Sequence, residues 1–505
     1  MFTSLKNNPI FALLSRWWPL LYILIVTALL FVWFSNWTYD DPYITYRYAE
    51  NLANGVGFVY NPGERVLSTT TPLFTLLLTS LYPIWDNLPK LANLIGAISL
   101  AAGAVLLWDL GKTWKAPPIG WAALLLYPTF PLLLTTLGSE MPLYLALCLG
   151  AFAFYARSSY SLSAVFAALA VLARPDGILV GGVLALDYLI RVRRHIPLKA
   201  VLIFLAITLP WIIFAWSYFG SPIPVTLLTK QNQGAMPISE RFAPGFLSIA
   251  NQYVSSSHYR IEAALVFFGV GCLLWRSCRD KDFRRWLIFF AWNILYFIAY
   301  SFLGVSRYFW YYAPLVPGIV AWIGLGASSV VLVSVHIFKL IWKPGKQDIF
   351  AEKLKAVGAA LTVLLLVVLA VSQIGGLRNL QKSMDIRVKV YRAVGEWLQL
   401  TTHPDAEIAS LEIGIIGYHS QRPMVDFAGL IKPKVAARLS SASNFDQVAI
   451  WTAEHFAPQY LVIGEQELPR LEKKFVKNNC VLVKQFDGTM YGYPKHLQLY
   501  QCASP

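Results

Sequence analysis

Charge is what this chain has least of. Only 14% of its 505 residues are Asp, Glu, Lys or Arg, against 57% hydrophobic, where a soluble globular domain carries about 25% charged residues. That scarcity excludes an ordinary soluble fold and points to a polytopic membrane protein. Cysteine is also scarce: there are five, with no C-x-x-C pair, which excludes a zinc ribbon or a thioredoxin motif. No G-x-G-x-x-G opens a helix in the glycine-bearing tail, so a dinucleotide site is excluded there. The net charge is +15, yet no basic run is interleaved with aromatics on a soluble segment. Nucleic acid is therefore excluded as a partner, and the excess is spread through short loops between apolar runs. No His or carboxylate cluster calls for a metal. No convincing internal repeat relates the apolar runs.

Uncharged apolar runs recur at 17–37, 91–108, 118–137, 141–156, 158–173, 177–186, 200–219, 263–275, 286–303, 308–335 and 356–376. At about 1.5 Å per residue the first is long enough to cross a bilayer. It lacks a small-residue cleavage site and reads as a retained span rather than a cleaved leader. Several others fall short of about twenty residues and must borrow flanking residues or stop at mid-depth. Residues 72–85 decide the parity. If they lie in the interface instead of crossing, Lys6, Arg16, Lys112, Lys115, Arg157, Arg191, Arg193, Arg194 and Lys199 share the inner face with Arg276, Arg279, Lys281, Arg284, Arg285, Lys339, Lys343, Lys346, Lys353 and Lys355. The positive-inside bias selects that arrangement. It gives eleven spans in a membrane module over 1–376, an inside N-terminus, a first outer loop over 38–90, and an extracytoplasmic domain over 377–505.

Asp40 and Asp41 sit where the chain leaves the first span. Adjacent acids repel, and beside lipid at least one needs a shifted pKa or a cationic partner; Arg47 follows six or seven residues on. The same topology places Glu140, Arg174, Asp176, Lys230 and Arg307 on the outer face. Arg174-Pro175-Asp176-Gly177 lies at the outer ends of two short helices, below headgroup level. A dry cavity of mixed charge suits a phosphate-bearing substrate, since phosphate needs cations and an incoming hydroxyl needs a base. Each feature also has a plain structural reading. The acid pair caps a helix at the headgroups, Arg174 snorkels from a turn, Glu140 complements a helix dipole, and Lys230 and Arg307 bind lipid headgroups.

From about residue 377 the chain is normally charged. A helical pattern at 388–400 precedes strand-like runs at 406–411, 424–427, 460–464, 481–486 and 498–500, with helices near 445–455 and 465–476. This alternation describes a small α/β domain. Cys480 and Cys502 flank its last strands, and an oxidising outside favours pairing them, two free thiols being the alternative.

The stretch DDPYITYRYAENLANGVGFVYNPGERV, beginning at Asp40, resembles the first extracytoplasmic loop of membrane-embedded glycosyltransferases of the C superfamily. It is most like the branch of the mycobacterial terminal arabinofuranosyltransferases and their bacterial relatives. The pattern is D-D-x-x-I-[ST]-x-R-Y-A, then N-L, G-x-G and N-P-G-E-R-V. Gly138-Ser139-Glu140 and the Arg174 tetrapeptide are similar to segments at matching places. So are Glu412-x-Gly-x-Ile-Gly-Tyr and Asp426-x-x-Gly-Leu-Ile-x-Pro in the tail. The chain departs at Ser68-Thr69-Thr70-Thr71-Pro72, where that branch carries a Gly-Tyr-Thr-Asn segment, which leaves the sugar open. The resemblance implies an α-helical polytopic glycosyltransferase-C fold and an inverting enzyme with a polyprenyl-phosphate sugar donor. The acceptor is a hydroxyl of a glycan, lipid or protein. Asp40 or Asp41 is then the base, and relatives with Asp-Glu at this point favour Asp40. Arg174, Lys230 or Arg307 stabilises the leaving phosphate, while Arg47, Glu140 and Asp176 bind substrate; no divalent metal is demanded. The tail docks the acceptor or serves as a lid. The alternative from another class is a lipid-linked glycan flippase or exporter that uses the same cavity without transferase chemistry.

Overall fold

The computed structural model describes residues 9–192, 196–237, 239–342, 347–382 and 385–503. Lys6, Arg193, Arg194, Lys343 and Lys346, counted above as inner cations, lie outside the described residues. Every apolar run folds as helix. Among the described residues seven helical stretches are long and apolar enough to cross a membrane: Arg16–Phe34, Leu88–Thr113, Leu198–Phe219, Tyr259–Arg279, Phe283–Leu303, Phe309–Phe338 and Lys353–Leu377. The other four expected spans are shorter. Residues 118–137 break into Pro117–Leu126 and Pro131–Leu134, because neither Pro128 nor Pro131 has an N–H to continue the ladder. Met141–Ala156, Tyr160–Ala173 and Ile178–Arg191 have 16, 14 and 14 residues. The eleven expected spans thus reduce to seven of full crossing length. Met141–Ala156 can be short because it runs almost wholly inside protein, where its polar ends meet side chains instead of lipid.

Leu24, Val32, Phe267 and Phe302 are among many large apolar side chains left exposed around the helices. Such a belt needs a lipid solvent, and the chain is a multi-pass membrane protein. Lipid tails are as apolar as Leu, so tight contact between helices comes from small residues. A Cβ on Gly326 would lie 1.9 Å from the Leu265 carbonyl oxygen, and one on Gly269 would lie 2.0 Å from that of Trp322. Ser257–Arg279 and Val316–Trp342 therefore touch backbone to backbone.

The helical body has two chemically distinct ends. At one, Lys115 pairs with Asp282 at 3.0 Å, Arg157 with Asp109, and Arg191 with Asp187 at 2.6 Å. Arg191 also donates to the Arg284 carbonyl. At the other end lie the first loop, Glu140, Arg174 and Lys230. The ten-residue helix Pro72–Leu81 stays there. Thr79 and Tyr82 reach Ala49 and Glu50 of the helix Pro42–Ala53. Asn93, just beyond, donates to the carbonyls of Ser35 and Trp37 at the exit of the first helix. Both ends of 72–85 therefore lie at the same end of the body.

The tail forms a five-stranded mixed sheet from β1 (Ile408–Ser410), β2 (Met424–Asp426), β3 (Tyr460–Gly464), β4 (Cys480–Phe486) and β5 (Leu497–Cys502), in the order β2-β1-β3-β5-β4. β1 runs parallel to β2 and β3, and β5 runs antiparallel to β3 and β4. Cys480 and Cys502 face each other across β4 and β5 and form a disulfide. Alternate strand residues serve two layers. Ala409, Leu461 and Ile463 pack on Ala449 and Ala453 of the helix Phe445–Phe456. Ile408, Val462 and Leu499 pack on Val390, Val394 and Leu398 of Val388–Thr401, in a core that continues into Tyr43, Tyr46, Phe58 and Tyr60 of the first loop. The first loop is therefore a buried layer between helical body and sheet.

Candidate active site

Pro42, whose fixed φ suits a first helical position, starts the helix Pro42–Ala53 directly after the acid pair. The two acids consequently point apart. Asp40 is 5% exposed, and its carboxylate accepts backbone N–H bonds from Gly414 at 2.9 Å and Ile415 at 2.8 Å. Gly414 permits this approach, since a Cβ there would lie 2.0 Å from the Asp40 carbonyl oxygen. Burial raises the Asp40 carboxyl above its ordinary range and the charge of Glu412 adds to it, against the pull of the Ile415 and Gly414 N–H groups. Asp41 is the open member of the pair. Its side chain is 33% exposed, and its Oδ2 lies 3.4 Å from Lys230 Nζ.

Lys230 is carried by the helix Val225–Ala235, which the rest of the protein holds on three sides. Val225 N–H and Thr226 Oγ1 donate to the carbonyls of Leu67 and Ser68. Thr229 Oγ1 and Asn232 donate to those of Gly429 and Ala436, and the Lys230 carbonyl accepts from Ser306 N–H. The ammonium lies 3.7 Å from the centre of the Tyr308 ring, a cation–π contact. Burial works against its charge, but Asp41 and Tyr308 outweigh it and the pKa is raised.

Behind this pair Arg174 draws two acids together. Its guanidinium donates to Glu140 at 2.6 Å, to Asp176 at 3.2 Å and to the Tyr300 hydroxyl at 2.9 Å, and Tyr300 donates in turn to Asp176 at 2.8 Å. Four of the sequence-derived candidates beyond the acid pair, Glu140, Arg174, Asp176 and Lys230, thus join Asp41 around one cavity of about 470 Å³. Ser68, Thr69, Thr70 and Thr71 form a hydroxyl-bearing wall of it. Ile178, Ile223 and Leu303 line it and are also 51%, 63% and 37% exposed on the outside of the protein, so its mouth is apolar.

A second cavity, about 890 Å³, lies on the other side of the Asp41–Lys230 pair, under the C-terminal sheet domain. Tyr39, Asp41, Lys230, Trp310 and Leu430 line both. Its further charged groups, among the described residues, are Asp40, Asp385, Arg387 and Glu412. Arg387 forks onto both Asp385 oxygens and reaches Glu412 Oε1 at 2.5 Å. Glu412 is raised above its ordinary value by burial, opposed by Arg387 and reinforced by Asp41. Arg387 and Glu412 were not among the sequence-derived site residues. The Glu412-x-Gly motif was their one visible signal; only folding brings it to the acid pair.

Arg47 and Arg307 are not brought to either cavity. Arg47 is 2% exposed and donates to the Gly417 carbonyl at 2.6 Å, beside the Tyr60 ring. It is six residues past Asp41, on the helix face turned to the sheet domain. Arg307 pairs with Glu240 at 2.6 Å with both side chains well exposed, because Arg307 N–H is tied to the Glu240 carbonyl and its side chain follows outward. Among the described residues no group of three or more His, Cys, Asp or Glu is arranged to hold a metal ion.

A lipid-facing helical body whose first loop carries an acid pair, with a sheet domain docked over that loop, is the glycosyltransferase-C fold. Comparison with solved structures shows the same. ArnT from Cupriavidus metallidurans, bound to undecaprenyl phosphate, superposes with a TM-score of 0.59 at 14% identity over 96% of this chain and 98% of that one. The Archaeoglobus fulgidus oligosaccharyltransferase tethered with an acceptor peptide gives 0.54 at 15% identity over 98% and 75%. In sequence the chain is 28% identical over 299 residues to a terminal beta-(1->2)-arabinofuranosyltransferase of Mycobacterium tuberculosis, covering 51% of this chain and 44% of that protein. It therefore spans less than half the length of that curated relative. Residues 378–500 match a family model described as a domain of unknown function, DUF8728.

Proposed function

We propose that the chain is an inverting glycosyltransferase that moves a pentose or hexose from a polyprenyl-phosphate donor to an acceptor hydroxyl on the extracytoplasmic side. The observation that carries this reading is the Asp41–Lys230 pair, which forms the shared wall of the two cavities. The lipid donor enters the smaller cavity through its apolar mouth and sets its phosphate toward Lys230 and Arg174. The acceptor enters the larger one, between the membrane module over 1–376 and the domain over 377–505. Asp41 takes the proton from the acceptor hydroxyl. The oxygen attacks the anomeric carbon, the bond from that carbon to the phosphate oxygen breaks with inversion, and polyprenyl phosphate leaves as an anion beside Lys230. Asp40 has both carboxylate oxygens occupied by backbone donors, so it holds the loop instead of serving as base. The undecaprenyl phosphate in the ArnT structure and the named arabinofuranosyl relative support a lipid-phosphate donor. The cluster of inner-end cations supports an inside N-terminus and an outside C-terminal domain.

The test is turnover of radiolabelled polyprenyl-phosphate pentoses and hexoses by the full chain in nanodiscs, read as released polyprenyl phosphate. Asp41→Asn is expected to lose about 10²–10⁴-fold, the usual contribution of a general base, with an unchanged thermal melt. A folded Asp41→Asn protein with near-normal turnover would remove Asp41 from the chemistry, whereas absence of turnover by the wild type with every donor would favour the exporter reading.

A further inference from the structure

The larger cavity contains a second carboxylate held in a fixed direction. Arg387 is anchored on both oxygens of Asp385 and binds Glu412 Oε1. That bidentate fork locks the guanidinium and, through it, the carboxylate. Glu412 is 29% exposed and lines the same cavity as Asp41, so a bound molecule meets two carboxylates, one from the first loop and one from the sheet domain. Among the described residues the charges lining this cavity are unequal: Asp40, Asp41, Asp385 and Glu412 stand against Lys230 and Arg387. Much of the remaining wall is aromatic, with Tyr308, Phe309 and Trp310 on one side and Tyr253 and Tyr259 on the other. Flat apolar surfaces with a few fixed hydrogen-bond acceptors suit a ligand that presents hydroxyl donors and C–H faces. An anionic ligand would meet unfavourable charge.

We infer that Glu412, oriented by Arg387, binds the acceptor, and that the acceptor class is a neutral carbohydrate presenting two nearby hydroxyls, one to Asp41 and one to Glu412. This rests on the transferase reading and adds to it the residue that selects the acceptor. Glu412 takes no proton in the reaction. It accepts one hydrogen bond and so sets which hydroxyl faces Asp41.

The experiment uses the full chain in nanodiscs with a polyprenyl-phosphate sugar. Polyprenyl phosphate release is followed with no acceptor, with neutral methyl glycosides, and with the corresponding sugar phosphates. Neutral glycosides are expected to accelerate release saturably and sugar phosphates to do so at least 10-fold less well. Glu412→Gln should raise the half-saturating glycoside concentration about 10- to 100-fold, the range for a lost hydrogen bond to a charged group. Donor KM, set in the other cavity, should change far less than the glycoside half-saturation. Glu412→Asp, which keeps the charge and the Arg387 partner, should recover part of the loss. Sugar phosphates equal to neutral glycosides, or a folded Glu412→Gln protein with unaltered half-saturation, would overturn the inference while leaving the transferase reading in place. Absence of donor turnover by the wild type under every condition would overturn both.

Discussion

Asp40 and Asp41 are joined by one peptide bond yet answer to different partners. Asp40 accepts two N–H groups from a segment more than 370 positions away, and Asp41 meets Lys230 across the cavity wall. Their variants should therefore fail in different ways. Asp40→Asn keeps the shape but supplies an N–H₂ where an acceptor was, leaving a buried backbone N–H unpaired at a cost of about 1–3 kcal/mol. Thermal unfolding of Asp40→Asn should show that loss, with turnover falling only as the sheet domain undocks. Asp41→Asn should show the reverse pattern. Lys230→Met makes a third case. It leaves Asp41 unopposed and removes the cation from the donor cavity, so donor KM should rise about 10-fold or more, as expected for loss of a charge-assisted contact. A donor titration with unchanged affinity would assign the phosphate to Arg174 instead.

At the scale of elements, the seven-residue helix Gly414–Ser420 joins the sheet domain to the first loop. Its N–H groups hold Asp40, its Gly417 carbonyl holds Arg47, and its His419 lies against the Tyr43 ring. Burial lowers the His419 pKa to about 4, with Arg392 adding to the effect and Glu396 opposing it. A folded-state pKa below the unfolded one of about 6.5 gives stability that is complete above 6.5 and is lost as pH falls through 4. At about 1.4 kcal/mol per unit the full span is worth about 3 kcal/mol. Melts taken from pH 7 to pH 4.5 should show the wild type losing more than His419→Gln; parallel curves would place the acid sensitivity elsewhere. The disulfide stabilises the far edge of the same domain. Cys480 and Cys502 are 22 residues apart, and closing a loop of that size is worth about 3 kcal/mol. Cys480→Ser with Cys502→Ser should lower the domain's melting point by that measure without altering donor binding.

For the whole molecule, the ends of the helical body make a topological prediction. Single cysteines at Lys90 and Gln447, in a background lacking Cys148, Cys272 and Cys278, should label from the outside. Cysteines at Lys115 and Lys281 should label from the inside. Labelling of Lys90 from the inside would mean that residues 72–85 cross, contrary to the contacts of Thr79, Tyr82 and Asn93. The Cys480–Cys502 pair was one of two readings the sequence offered, whereas the membrane character and the strand order in the chain were legible outright. Each depends on composition, run length or local periodicity, which neighbours in the chain determine. The gathering of Glu140, Arg174, Asp176 and Lys230 was legible too, because helices that alternate direction return their loops to one end. Which side chains enter the cavities was decided only by tertiary contact. Asp40 is anchored at the edge of the larger cavity because Gly414 and Ile415 offer it two donors, Arg47 turns away to donate to the Gly417 carbonyl, and Arg307 turns away because Glu240 takes it outward. Arg387 and Glu412 enter because the sheet shares its core with the first loop. Side-chain direction at a buried polar position follows whichever distant backbone group satisfies it, and that partner is known only once the chain has folded.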